Sequence, residues 1–158
     1  MHRFYRVVVR DLTDLLDLNP LVCQIRIVAD CCNTNISVLD LSKYTRLEQL
    51  IVGNNSFNCV TEVKLIGLEE LESVVIGPNC FVNKSNRETT GCFYLKNCLK
   101  LKELWMGRNS FSDYSVCEIE NVDALETIAM GDAHYWSGCF NRSSLELKST
   151  QRVKVANA

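Results

Sequence analysis

The groups in this 158-residue chain that could ligate a metal, attack a substrate or move a proton are nine cysteines, two histidines and nineteen acidic residues. Structural zinc sites use Cys or His pairs a few residues apart. Here Cys31 and Cys32 are adjacent, Cys92 and Cys98 stand apart from any second pair, and His2 and His134 lie at opposite ends. No metal or other cofactor is expected. His134, beside Tyr135 and Trp136, is the one acid/base candidate, but it reads rather as packed at a cap edge or exposed to solvent. Glu69, Glu70 and Glu72 could imitate a pair of catalytic acids but read as a solvated turn. A phosphate cradle needs several glycines within one short loop, whereas the repeat glycines Gly53, Gly77, Gly107 and Gly131 here recur 24 or 30 residues apart, one to a turn. No nucleophile with a partner base is found, so catalytic residues are not expected and the chain reads as a non-enzyme.

Composition narrows the partners. Hydrophobic residues make up 47% and charged residues 23%, with a net charge of −2. That is ordinary for a folded domain and lacks the basic footprint of a nucleic-acid binder. No apolar run approaches the roughly 18 residues of a membrane span. The opening MHRFYRVVVRDLTDLL is interrupted by Arg10, Asp11 and Asp14, a poor secretory signal. An odd number of cysteines without an export signal suggests a reduced, cytoplasmic compartment. The N-x-S/T sequons at Asn35, Asn54, Asn83 and Asn141 weigh the other way, toward an extracellular fragment.

The order in the chain is a repeat. LEQLIVGNNSF from Leu47, LESVVIGPNCF from Leu71 and LKELWMGRNSF from Leu101 align without gaps. Gly53, Gly77, Gly107 and Gly131 step by 24, 30 and 24 residues, the extra six lying within the polar stretch from Asn83 to Gly91. Val63-Lys64-Leu65, Phe93-Tyr94-Leu95 and Cys117-Glu118-Ile119 repeat in one register, followed by Leu68, Cys98 and Val122. Upstream, Val22, Ile25, Ile27, Asp30 and Cys32 keep the spacing; downstream, Leu125, Ile128 and Met130 begin a further copy that departs from it at Ala133.

Leu101, Leu104, Met106, Asn109 and Phe111 fill the LxxLxLxxNxL pattern, and the chain resembles the leucine-rich repeat superfamily. Its Gly-x-Asn-Ser-Phe variant is similar to the repeats of protists and BspA-like proteins. The resemblance implies an α/β repeat fold: a solenoid in a short horseshoe arc, with a parallel concave β-sheet and a mostly extended or irregular convex side. Repeats are expected at about 22–46, 47–70, 71–100, 101–124 and 125–149. Alternation buries Leu104 and Met106. The ladder Asn55, Asn79 and Asn109 is expected to be buried and to satisfy orphan backbone groups, beside a spine of Phe57, Phe81 and Phe111.

Helical spacing of Phe4, Val7, Val8, Leu12, Leu15 and Leu16 predicts a capping helix over Arg3 to Leu18 within residues 1–21, with an F-box-like interaction helix as the alternative. Residues 150–158 have no core pattern and are expected to fray. The outward column Arg26, Ile51, Val75, Trp105 and Ala129 should present an apolar stripe, with Lys102, Glu103 and Arg108 at its rim. Such stripes mark interaction sites, and Trp and Arg are frequent anchors. β-branched residues also simply favour strands. A protein or peptide partner on this face is therefore expected, with no nucleic acid, no membrane insertion, and self-association through the repeat ends as a further option. The competing reading is a structural or surface-display array.

Overall fold

The computed structural model describes residues 5–84, 90–131, 138–141, 144–148 and 154–157. Two wholly parallel sheets and almost no helix make up the fold. The larger sheet orders its strands β1 (Tyr5–Val9), β2 (Val22–Ile27), β4 (Gln49–Val52), β6 (Ser73–Ile76), β8 (Glu103–Met106), β10 (Thr127–Met130) and β12 (Lys154–Asn157). The smaller runs β11 (Ser144–Lys148), β9 (Tyr114–Glu120), β7 (Gly91–Lys96), β5 (Glu62–Ile66) and β3 (Val38–Asp40). From β2 to β11 the chain alternates between sheets, each sequence unit giving one strand to each. The side opposite the larger sheet is thus a regular second sheet, the extended form of the mostly extended or irregular side expected.

Period-2 alternation sets which side chains meet between the sheets. Leu50 and Val52, Val74 and Ile76, and Leu104 and Met106 enter from the larger sheet; Val63 and Leu65, Phe93 and Leu95, and Cys117 and Ile119 enter from the smaller. Neither face could stay out of water alone, and stacking in register makes one continuous core.

Where strands of the larger sheet end, the Asn-Ser-Phe segment turns the chain through two left-handed residues. Asn55 and Phe57, Asn79 and Phe81, and Asn109 and Phe111 all have φ between 55° and 61°. Left-handed backbone costs a non-glycine residue about 1–2 kcal/mol, and stacking of the buried rings offsets it. Phe57 lies 5.2 Å from Phe81, Phe81 lies 4.8 Å from Phe111, and Phe111 lies 5.1 Å from Phe140, all nearly parallel.

The asparagines depart from expectation in burial and in partner. They are half-buried, and their amides bond one another: Asn79 Nδ2 donates to Asn55 Oδ1 at 3.2 Å and Asn109 Nδ2 to Asn79 Oδ1 at 3.0 Å. The strand-exit carbonyls are served by the next residue instead. Ser56 Oγ donates to the Val28 carbonyl at 3.0 Å, Cys80 Sγ to Gly53 at 3.1 Å, Ser110 Oγ to Gly77 at 2.8 Å and Cys139 Sγ to Gly107 at 3.2 Å. The first unit places Asp30, Cys31 and Cys32 at these positions; in the last, Gly138, Cys139 and Phe140 take them. The repeat therefore resumes at Gly138 after its departure at Ala133. A second ladder closes the smaller sheet, where left-handed Asn121 donates its amide to left-handed Asn97 at 2.9 Å.

Both ends differ from the sequence expectation. The predicted capping helix over Arg3 to Leu18 is absent: Tyr5–Val9 is a strand, paired parallel with β2, and only α1 (Leu12–Leu16) is helical. Val7, Val8 and Val9 are β-branched and suit a strand, and β1 completes the ladder along β2. Asp11 then starts α1, accepting from the Asp14 N–H at 2.9 Å while Asp14 accepts from the Arg10 N–H at 2.8 Å. Between α1 and β3 remains a cavity of about 110 Å³, lined by Leu15, Leu16, Val38 and Tyr44. At the other end the tail, expected to fray, supplies β12, which pairs parallel with β10 and takes the sheet edge; an otherwise unpaired ladder edge gives even a short segment backbone partners.

Candidate functional site

Parallel pairing in register draws one row of outward side chains across the larger sheet. Val8 pairs with Arg26, Arg26 with Ile51, Ile51 with Val75, Val75 with Trp105 and Trp105 with Ala129. Arg26 is exposed, Ile51 and Val75 are half-buried, and Val8 and Trp105 each keep 40% of their surface in solvent. The indole is held in place by a bond from Trp105 Nε1 to Glu103 Oε2 of 2.7 Å, two residues back on the same face. An anchored aromatic side chain has less rotamer entropy to lose when a partner arrives.

Ala129 corrects the expected column. Only 2% of it is exposed, at a position in register between Trp105 on β8 and Ala156 on β12. Val8 is the addition: it extends the row onto β1, a position hidden from sequence reasoning by the expected helix. Among the described side chains the stripe therefore runs Val8, Arg26, Ile51, Val75 and Trp105.

On either side of the row the surface is polar. Toward the strand starts, Gln24, Gln49, Ser73, Glu103 and Thr127 form the adjoining row, with the Gln24 side-chain amide donating to Gln49. Beyond them Glu48, Glu72, Lys102 and Glu126 stand exposed in succession, joined by backbone bonds of 2.8–2.9 Å. Past the strand ends, Asp30, Asn54 and Arg108 are exposed in the turns. The glycines between are required by close approach: a Cβ on Gly107 would meet the Pro78 nitrogen at 2.3 Å, and one on Gly53 the Ala29 nitrogen at 2.5 Å.

The outer face of the smaller sheet has a different character. Lys96 pairs with Glu118 at 2.5 Å and Glu120 at 3.7 Å, Lys64 with Glu62 at 2.5 Å, and Lys148 with Glu146 at 3.1 Å. The hydrogen bond to Glu118 raises the Lys96 ammonium above its ordinary range. This is a solvated, charge-matched surface, as is the turn where Glu70 meets Lys100 at 2.7 Å.

Four buried thiols are held protonated by their surroundings. All nine cysteines are free. Burial pushes Cys80 and Cys98 up to about 11 and Cys117 to about 12, and it raises Cys32 too, with the Cys31 thiol 3.1 Å away adding to the effect. A protonated thiol is a weak nucleophile and a weak ligand. Among the described residues no three His, Cys, Asp or Glu side chains gather to hold a metal, and no helix is long and apolar enough to cross a membrane. Asp132, His134, Tyr135 and Trp136 lie outside the described residues. No protein-family model matches the chain, and no curated protein or solved structure matches it either.

Proposed function

We propose that this chain is a leucine-rich-repeat solenoid that acts as a non-catalytic binding module, holding a protein or peptide against the outer face of its larger sheet. The observation that carries the reading is the row Val8, Arg26, Ile51, Val75 and Trp105. It is apolar at its centre, polar at its rim and tipped by a tryptophan already fixed through Glu103. Apolar cores with polar rims are how protein interfaces are built, and Trp and Arg recur among their energetic anchors. The contrast between the two sheets supports it: the smaller sheet exposes Val38 at its edge strand but neutralises its charges pair by pair across its face, while the larger carries its exposed Val8 and Trp105 in one row with Ile51 and Val75. The repeat in the sequence, the parallel strand register and the stacked Asn and Phe positions support the solenoid reading.

The test compares wild type with Trp105→Ala for capture and titration of a binding protein from the cells that express the chain. The expected loss is about 2 kcal/mol or more, with thermal unfolding nearly unchanged because the indole contributes little to the core. Binding that survives both Trp105→Ala and Arg108→Glu refutes the assignment.

A further inference from the structure

Resting on the reading of this face as a binding surface, we propose that the segment it holds is an amphipathic α-helix with a basic flank, laid across the strands over Ile51, Val75 and Trp105. The backbone excludes one common alternative. β4, β6 and β8 are interior strands, each bonded to neighbours on both sides, so a partner cannot join them by adding a strand and must be recognised through side chains.

Spacing then distinguishes a helix from an extended segment. Adjacent strands stand about 4.8 Å apart, so the three side chains follow one another at that interval and span about 10 Å. Apolar residues one helical turn apart repeat at about 5.4 Å, and i to i+7 covers about 10.5 Å. Same-face residues of an extended chain recur at about 6.8 Å and cover about 13.5 Å over two steps, losing register by the third contact.

Charge fixes the flank. Four carboxylates, Glu48, Glu70, Glu72 and Glu126, share the strand-start side with two ammonium groups, Lys102 and the Glu70-paired Lys100, which also feels Glu72 and Glu48, and Glu103 adds a further carboxylate next to the apolar row. Beyond the strand ends, among the described residues, are Arg108 and Asp30, one charge of each sign. A helix over the row therefore faces an acidic rim on one side only, and Lys or Arg on that side complements it.

The experiment is selection from a displayed library of random peptides about 16 residues long, some four helical turns, against the 158-residue chain in reductant. The enriched peptides are expected to carry apolar residues at i, i+3 or i+4, and i+7, with Lys or Arg along one flank, and to gain helical circular dichroism on binding. Their affinity should fall about tenfold or more for Glu48→Lys/Glu72→Lys, and also when salt rises from about 0.05 to 0.5 M. Both glutamates are exposed, and unfolding curves confirm that the double variant is folded. Peptides that need Trp105 but alternate with period 2 overturn the helix, and ones that are acidic or bind the double variant equally well overturn its basic flank, in each case leaving the surface intact. A selection yielding no peptide that loses binding to Trp105→Ala overturns both.

Discussion

At the scale of single residues, the turn after each larger-sheet strand divides its work among three neighbours. Asn holds left-handed backbone and links to its counterpart, Ser or Cys caps a carbonyl, and Phe fills the spine. Each role predicts a different cost. Phe111→Ala empties a fully buried site with ring neighbours on both sides, and should cost about 3–5 kcal/mol in chemical denaturation. Ser110→Ala leaves the Gly77 carbonyl and the Cys80 N–H without the hydroxyl they share, for about 1–3 kcal/mol. The leucine and phenylalanine columns are legible in the sequence because burial demands the same residue type in each unit. The division between Asn109 and Ser110 is not, because two consecutive polar residues in a turn look alike until backbone dihedrals show which one faces the carbonyl. The buried thiols carry a pH prediction. Cys80, Cys98 and Cys117 stay protonated in the fold past the range in which the unfolded chain ionises, near pH 9. Above that pH the native state holds more protons, so stability must fall as pH rises, by on the order of 1 kcal/mol per pH unit for each thiol. Urea unfolding at pH 8, 9 and 10 measures it; a flat profile would show that the thiols ionise alike in both states.

At the scale of elements, strand, exit turn and return strand are legible from spacing alone, since hydrophobic period 2 and the recurring glycine fix register within each unit. The N-terminal element is not. Val7, Val8, Leu12, Leu15 and Leu16 fit a helical period as well as a strand followed by a short turn of helix. What decides is tertiary: β2 has a ladder edge that β1 pairs, a demand no local pattern expresses. The same limit hid Val8 from the candidate surface and placed Ala129 in it, since burial at an outward position does not follow from alternation. The glycine column offers the sharpest element-level test. Gly107→Ala drives a Cβ into the backbone of the preceding unit at Pro78, and should cost about 1–3 kcal/mol; a neutral result in thermal unfolding would show that the exit turns can separate.

Across the whole molecule, stacking joins units that could not fold singly into one core and leaves two outer faces with different chemistry. The smaller sheet turns Lys–Glu pairs to water, while the larger presents an apolar row beside an acidic rim. The candidate surface was legible in its central members, Ile51, Val75 and Trp105, because outward positions follow from alternation once register is known. Its charge contrast with the opposite sheet emerges only when side chains of different units meet. The most direct measurement is a titration of one bound partner against Val75→Arg, in the middle of the row, and Tyr94→Ala, on the outer face of the smaller sheet. The account predicts that Val75→Arg weakens binding by about 2 kcal/mol or more while Tyr94→Ala leaves it within error of wild type. Equal affinities for wild type and Val75→Arg, or a loss confined to Tyr94→Ala, would contradict it.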